Sequence, residues 1–326
     1  MQGPKISIGV LRGGPSSEYE VSLKTGEAVI EHLHPLKYIV RDILIDKDGV
    51  WHIGGASRKP GQALKGLDIV FNALHGEYGE DGKVQRVLDH FSIPYTGSDS
   101  LGSAIAMNKV LAKKRLLSEG VKTPVHAVVR AEDGDVEKQI LSAFRSLPLP
   151  VIIKPATLGS SVGMSVARDF TGFASGVRKA LALSPVVLIE ELVIGKEGTC
   201  GVVEGFRGEE TYSLLPIEIR PPADKDFFDY DAKYSGKSQE ISPGNFSPEE
   251  TKELQRLAVL AHKALGLRHY SRSDFIVTPK RGIYYLETNT LPGLTSESLM
   301  PKSLRAVGSD LPEFLNHVIE LALEKK

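Results

Sequence analysis

The 326-residue chain has a single cysteine, Cys200. No internal disulfide framework is possible, and such usage fits a reducing compartment. The flanking Gly-Thr-Cys-Gly-Val-Val reads as a strand, which makes Cys200 a small buried residue rather than a nucleophile. No apolar run approaches the roughly 18 residues that suggest a membrane helix, and the N-terminus lacks a secretory signal's long apolar region. Lys and Arg together number 40, against 41 Asp and Glu. Neither sign is gathered into a long block, which argues against nucleic acid or a membrane surface as partner. Internal repeats and low-complexity tracts are absent. The composition leaves an α/β protein, expected to be soluble and cytoplasmic, with apolar material for two or three domains.

Alternation and turn signals give the element order. Lys5–Leu11 is a short apolar strand, followed by Arg12-Gly-Gly-Pro-Ser-Ser-Glu-Tyr-Glu and a helical pattern over about 21–33. A strand, a Gly-rich turn and a helix start form an anion or small-ligand layout, although the dinucleotide spacing G-x-G-x-x-G is missing. Glu18 in that turn suits a cationic group such as an ammonium, or is a first-turn acid favoured by the helix dipole. Strands follow at 38–45 and 67–74. The second is nearly continuous in apolar residues, as in a covered parallel sheet. It runs into His75-Gly-Glu-Tyr-Gly-Glu-Asp-Gly82 and a helix over about 83–91. A polar, glycine-rich loop at the C-terminal end of a parallel strand is where open α/β sheets bind ligands, and that context singles out His75.

An amphipathic helix spans 108–118, and another spans 137–147. Between 150 and 163 lies Pro-Val-Ile-Ile-Lys154-Pro-Ala-Thr-Leu-Gly159-Ser-Ser-Val-Gly. A lysine at a strand end followed by a Gly/Ser loop is a phosphate-cradling layout, without the Walker A pattern. The strand 186–193 ends in polar residues. It would present Glu190 to an adenine amino group, with Glu197 after the next turn facing ribose hydroxyls; each acid alone also reads as solvated. Residues 221–245 are irregular yet rich in aromatics, as in a functional lid. Helices over about 248–265 and 311–323 complete the pattern.

The richest stretch is a hairpin. Arg272–Val277 and Ile283–Asn289 are strands, joined by Thr-Pro-Lys-Arg-Gly. Placing Val277 opposite Tyr284 sets Asp274 opposite Glu287 and Arg272 opposite Asn289. Residues i and i+2 share a face, so Glu287 and Asn289 point the same way. Facing carboxylates repel unless a cation lies between them. Two carboxylates and an amide oxygen form a hard, oxygen-only set suited to Mg²⁺ or Mn²⁺; a solvated hairpin is the plain alternative.

Two long motifs carry a resemblance that covers essentially the whole chain: His75-Gly-x-x-Gly-Glu-Asp-Gly82 and Leu286-Glu-Thr-Asn-Thr-Leu-Pro-Gly-Leu-Thr-Ser296. Gly13-Gly-x-Ser-x-Glu18, Lys154-Pro with Gly159-Ser-Ser-Val-Gly163, and Tyr230-Asp-Ala-Lys-Tyr234 support it. The chain resembles the ATP-grasp enzymes, and within them the D-alanine–D-alanine ligases. The resemblance implies an N-terminal open parallel-sheet domain over 1–100 that binds substrate. A two-subdomain ATP-grasp fold would follow: a central part over 101–190 and a C-terminal part over 191–326, with the lid at about 221–245. It implies ATP-dependent ligation through an acyl phosphate for peptidoglycan precursors, with ATP as co-substrate, two Mg²⁺ or Mn²⁺ ions, and a homodimer joined through the N-terminal sheet.

The same resemblance implies the site residues. Lys109, Lys154, Ser161, Glu190, Glu191, Val193 and Glu197 would hold ATP. Asp274, Glu287 and Asn289 would hold the metal ions. Arg272 would stabilise the tetrahedral intermediate, and Glu18 would hold the first D-alanine's ammonium, with His75 by its carboxylate. Ser160, Lys233 and Tyr234 would serve catalysis and lid closure. Gly293, Ser298 and Leu299 would line the second D-alanine's site. Leu192 stands where relatives commonly carry an aromatic near the adenine, and Thr157 and Leu158 are less polar than usual. Two other readings remain: a ligase taking a D-hydroxy acid or other amine as second substrate, and a catalytically silent nucleotide-binding relative.

Overall fold

The computed structural model describes residues 4–159, 162–220 and 239–324. Its first part is a five-stranded sheet in the order β4-β3-β2-β1-β5. The strands are β1 (Ile6–Gly13), β2 (Tyr38–Ile45), β3 (Trp51–Ile53), β4 (Ala56–Arg58) and β5 (Ile69–Asn72), with helices α1 (Tyr19–His32), α2 (Pro60–Leu64) and α3 (Lys83–His90). β1 pairs in parallel with both β2 and β5, as the apolar run over 67–74 predicts. The β3 and β4 edge is antiparallel and was not foreseen, because strands of three residues carry too little alternation to be read.

The middle carries helices α4 (Ser100–Met107) and α5 (Lys109–Ser118), then β6 (His126–Arg130), α6 (Val136–Ser146), β7 (Val151–Pro155), β8 (Ser165–Ala167), α7 (Phe170–Leu181) and β9 (Val186–Glu191). Those strands form an antiparallel sheet in the order β6-β9-β7-β8. Asn108 caps α5, its side chain accepting from the N–H groups of Val110 and Leu111.

The last part is a six-stranded antiparallel sheet, β13-β12-β10-β14-β15 with β11 on β10. Its elements are β10 (Lys196–Glu204), β11 (Thr211–Ser213), β12 (Ile217–Arg220), β13 (Gln239–Ile241), α8 (Pro248–Ala264), β14 (Tyr270–Thr278), β15 (Gly282–Asn289), α9 (Leu299–Ala306) and α10 (Leu311–Glu324). Ser247 and Glu250 form a capping box on α8, with Pro248 at its first turn. The strand β13, paired with β12, corrects the reading of 221–245 as wholly irregular. Residues 221–238 of that expected lid lie outside the described residues.

One core joins the ends of the chain. Ile8, Val10, Ile69 and Phe71 on one face of the first sheet pack with Tyr270, Met300, Phe314 and Val318. Leu11 and Val70 point to the opposite face, among Ile43, Trp51 and Leu88. Both faces of β1 and β5 are covered, which is why β5 reads as a nearly unbroken apolar run, while β1 fits small Ser7 and Gly9 between its apolar residues. The Tyr38 hydroxyl donates to Asn316 at 2.7 Å, tying α10 to β2.

Candidate active site

The β14–β15 hairpin sets the site. Arg272 pairs with Asn289 and Asp274 with Glu287, as expected. The expected pairing of Val277 with Tyr284 is corrected: a bulge after Asp274 shifts the register, so Val277 faces Ile283 and Ile276 faces Tyr284. Leu286 takes no position in the ladder and is the extra residue of the bulge. The local rearrangement leaves the two carboxylates in register at the polar end.

Cations surround those carboxylates. The Arg272 guanidinium forks onto Asp274, Nε to Oδ1 and Nη2 to Oδ2, both at 3.1 Å. Burial works against the arginine's charge, but Asp274 more than offsets it and raises its pKa. Thr199 donates its hydroxyl to Asp274 Oδ1 at 2.5 Å, and Asn289 Nδ2 donates to Oδ2 at 3.2 Å. Lys109 lies 3.1 Å from Glu287 and donates to the Leu158 carbonyl at 2.8 Å. Among the described residues no cluster of three His, Cys, Asp or Glu side chains is poised for a metal. The candidate donors are two carboxylates and an amide, oxygen ligands that suit Mg²⁺ or Mn²⁺, and their present counter-charges come from Arg272 and Lys109.

A cleft opens from this polar end between the central and last sheets. Lys109, Lys154, Asp274, Glu287 and Glu197 line its charged part. Ile152, Leu158, Met164, Ile276 and Leu286 make apolar walls, and Glu191, Leu192 and Val193 form one edge. An apolar slot for a flat base leading to lysines and carboxylates is the chemistry a nucleoside triphosphate requires. The structure brings together Lys109, Lys154, Glu190, Glu191, Val193, Glu197, Asp274 and Glu287 as cleft-lining residues. Ser160, Ser161, Lys233 and Tyr234 lie outside the described residues.

Two acids have unexpected partners. The Glu190 carboxylate is fully buried, with Lys113 at 2.7 Å from Oε1 and Lys154 at 2.7 Å from Oε2. Burial alone pushes its carboxyl up, but the two lysines overcome that and hold it down at about 2. Glu190 lines the cleft beside Glu191, and each of its oxygens is engaged by a lysine. Glu191 accepts both of its 2.9 Å bonds from Arg281 in the hairpin turn, and the Val125 N–H donates to it at 3.2 Å.

The second half of the site lies where α1, the 73–82 loop and the segment after β15 meet. Glu18 stands at the N-cap of α1, and its Oε2 packs against the bare Cα atoms of Gly76 and Gly159. A methyl group on either glycine would stand 2.8 Å from that oxygen. Gly76 also has a φ of +67°, so two separate constraints require glycine there. His75 is buried, its Nε2 2.8 Å from the Thr25 hydroxyl on α1. A Cβ on Gly293 would meet Ser298 Oγ at 2.8 Å and Thr25 Oγ1 at 4.0 Å. Ser298 stands at the N-cap position of α9 without a side-chain capping bond, its hydroxyl instead 2.8 Å from that of Thr295, and Leu299 is the first residue of that helix. His75, Gly293 and Ser298 thus share the neighbourhood of Thr25.

Sequence reasoning missed Glu80, Lys113 and Thr25. Buried Glu80 accepts from the Gly76 N–H at 3.0 Å through Oε1. Its Oε2 takes the Thr290 N–H and hydroxyl, both at 3.0 Å, and the Leu291 N–H at 3.1 Å. Burial raises its carboxyl above the usual range, with His75 opposing and Glu18 adding to the shift. Glu80 thereby ties the His75 loop to the segment just past Asn289. Nothing local reveals the link to Thr290 and Leu291, which lie 210 and 211 residues away. A signal for Lys113 did exist: it follows Lys109 by one helical turn.

Comparison with known proteins adds independent findings. A family model described as D-ala D-ala ligase C-terminus matches residues 116–320, and one described as D-ala D-ala ligase N-terminus matches 7–63 and 54–98. A protein of Pelotomaculum thermopropionicum named D-alanine–D-alanine ligase is 38% identical, covering 98% of this chain and 97% of its own. One of the same name from Syntrophobacter fumaroxidans is 39% identical, covering 99% and 100%. Among solved structures, the VanG D-Ala:D-Ser ligase of Enterococcus faecalis superposes with a TM-score of 0.87 at 30% identity, covering 98% of this chain and 100% of that one. The D-alanine–D-alanine ligase of Bacillus anthracis complexed with ATP gives 0.81 at 31% identity, with 98% of each chain covered.

Proposed function

The chain belongs to the D-alanine–D-alanine ligase family, and from that premise we propose how its residues join two D-alanine molecules. It is an ATP-dependent ligase of the ATP-grasp fold, producing D-alanyl-D-alanine for peptidoglycan precursors. What carries our assignment of roles is one lysine: Lys109 touches Glu287 and the Leu158 carbonyl together, so phosphate loop and metal-type carboxylate converge on one cation.

In this reading the first D-alanine's ammonium rests on Glu18, and His75, held by Thr25, faces its carboxylate. A carboxylate oxygen attacks the γ-phosphorus of ATP, ADP leaves, and an acyl phosphate forms. Lys109 and Lys154 neutralise charge spread over the transferred phosphoryl group. Asp274, Glu287 and Asn289 would hold Mg²⁺ or Mn²⁺, which supplies further charge neutralisation on the phosphates. The second D-alanine, seated by Gly293, Ser298 and Leu299, attacks the acyl carbon through its neutral amine. Arg272, fixed by its fork onto Asp274, donates to the oxyanion. Phosphate then departs and the peptide bond remains. Glu191, Val193 and Glu197 meet the base and ribose, and Glu190 orients Lys154. Ser160, Ser161, Lys233 and Tyr234 stay in this proposal on the motif alone.

We further take the chain to be organised as 1–100, 101–190 and 191–326, which the three separate sheets support. A cytoplasmic homodimer is part of the same reading. No helix among the described residues is long and apolar enough to cross a membrane.

The test is phosphate release from ATP and Mg²⁺ with D-alanine, L-alanine, or D-alanine plus D-lactate, with mass spectrometry of the products. D-alanine-dependent release, a D-Ala–D-Ala product and no turnover of L-alanine are expected. A mixed product with D-lactate would move the assignment to a depsipeptide-forming ligase. ATP binding without release would sink the catalytic reading.

A further inference from the structure

Lys113 sits behind the nucleotide cleft. It follows Lys109 by one turn of α5, on the face that also buries Ala112 and Leu116. Lys109 reaches the cleft and Lys113 does not. The Lys113 side chain is 1% exposed. Its Nζ lies 2.7 Å from Glu190 Oε1, donates to the Tyr285 carbonyl at 3.4 Å and stands 5.7 Å from the Tyr285 ring centroid. Lys154 takes the other carboxylate oxygen, Oε2, at 2.7 Å and faces the cleft. The two lysines therefore divide one carboxylate, an oxygen each.

A buried third charge is costly, and an apolar residue of similar volume often serves stability as well. Lys113 has a consequence that an apolar residue lacks. Without it, Glu190 is free to turn both oxygens onto Lys154, and the pair becomes neutral toward the cleft. Burial pulls the Lys113 ammonium down and the Glu190 carboxylate at 2.7 Å opposes that; with Lys113 charged, the cluster carries two positive charges against one negative, and the lysine that lines the cleft keeps part of the excess.

We propose that Lys113 is a positioning residue for the nucleotide: by holding Oε1 of Glu190 it confines that carboxylate's grip on Lys154 to Oε2, so that Lys154 keeps a net positive charge toward the phosphates. Lys113 touches neither substrate nor metal in this arrangement and acts through Glu190. The inference rests on the cleft being the ATP site. Wild-type protein that fails to bind ATP would refute that reading whatever the variants do.

The experiment uses the full chain with ATP and Mg²⁺: calorimetric binding of ATP, together with kcat and KM for ATP and for D-alanine. Lys113→Met is expected to raise Kd and KM for ATP about tenfold, because a charge-assisted phosphate contact is weakened, with KM for D-alanine changed less than about twofold. The double variant Lys113→Met, Glu190→Gln is expected to bind ATP more tightly than Lys113→Met alone, since the Glu190 charge no longer neutralises Lys154 and only the more distant Glu197 and Glu287 act on it. A purely structural lysine would give no such rescue on losing a second charged residue. Wild-type ATP affinity in Lys113→Met, or a double variant that binds no better than the single, overturns the proposal. If Lys113→Met does not fold, the double variant is compared with wild type directly, and ATP binding weaker by about tenfold or more overturns it.

Discussion

The Glu18 carboxylate rests against the bare Cα of Gly159, where a methyl group would stand 2.8 Å from Oε2. The contact joins the N-cap of α1 to the Gly/Ser loop after Lys154, two segments far apart in the chain. Gly159 has no left-handed φ, so its requirement for glycine comes from this approach rather than from backbone conformation. Gly159→Ala is expected to fold normally and to push the Glu18 carboxylate aside. Misplacing a substrate anchor by about 1 Å costs on the order of a hundredfold in rate. Steady-state kinetics with D-alanine as the varied substrate checks this, and an unchanged kcat/KM would show that the Glu18 contact does not matter for the first D-alanine.

Glu287 faces Asp274 directly across the hairpin. The Glu287 side chain is held by Lys109 and takes no part in the backbone ladder of the hairpin, so Glu287→Ala should keep the far-ultraviolet circular dichroism of the wild type. Turnover should fall by about a thousandfold or more, as for loss of a principal charge-stabilising group. Chelation by EDTA should abolish phosphate release in wild type, and Mg²⁺ or Mn²⁺ should restore it. Near-normal activity in the variant, or in chelated enzyme, would remove Asp274, Glu287 and Asn289 from the metal assignment.

The buried Glu190 has its carboxyl held at about 2 by Lys113 and Lys154 against the opposing effect of burial. Its ordinary value is about 4.3. A folded-state value below the unfolded one means stability that is fully present above about pH 4.3 and is lost as pH falls toward 2. The two-unit difference corresponds to about 3 kcal/mol. Urea unfolding at pH values between 6 and 3 should show the wild type losing stability relative to the Lys113→Met, Glu190→Gln protein progressively below about pH 4.3. The raised carboxyl of Glu80 slopes the other way, its stabilising effect fading as pH rises through its folded value, and it is common to both proteins. A difference in stability that is flat with pH would show that the lysine pair does not hold Glu190 ionised.

Much of this was legible along the chain. The pairing of Asp274 with Glu287 followed from a period of two and a turn of known composition, both local properties. The parallel core of the first sheet followed from the nearly continuous apolar run over 67–74. Buried Cys200 was read from its flanks, and burial pushes its thiol up to about 12, which suits an inert residue. The bulge at Leu286 was not legible, because one extra residue in a strand leaves the apolar pattern on either side intact. The β3–β4 edge was too short to announce itself.

Residue types and spacings by themselves determined the element order, the polar hairpin and the lysine and glycine loops, since backbone geometry and hydrophobic periodicity act over a few residues. Tertiary structure alone decided what each charge meets. Glu80 answers Thr290 and Leu291, Glu190 is divided between Lys113 and Lys154, and Glu191 is clasped by Arg281. Charges act across space at a strength set by burial, and neither distance nor burial is written in the order of residues along a chain.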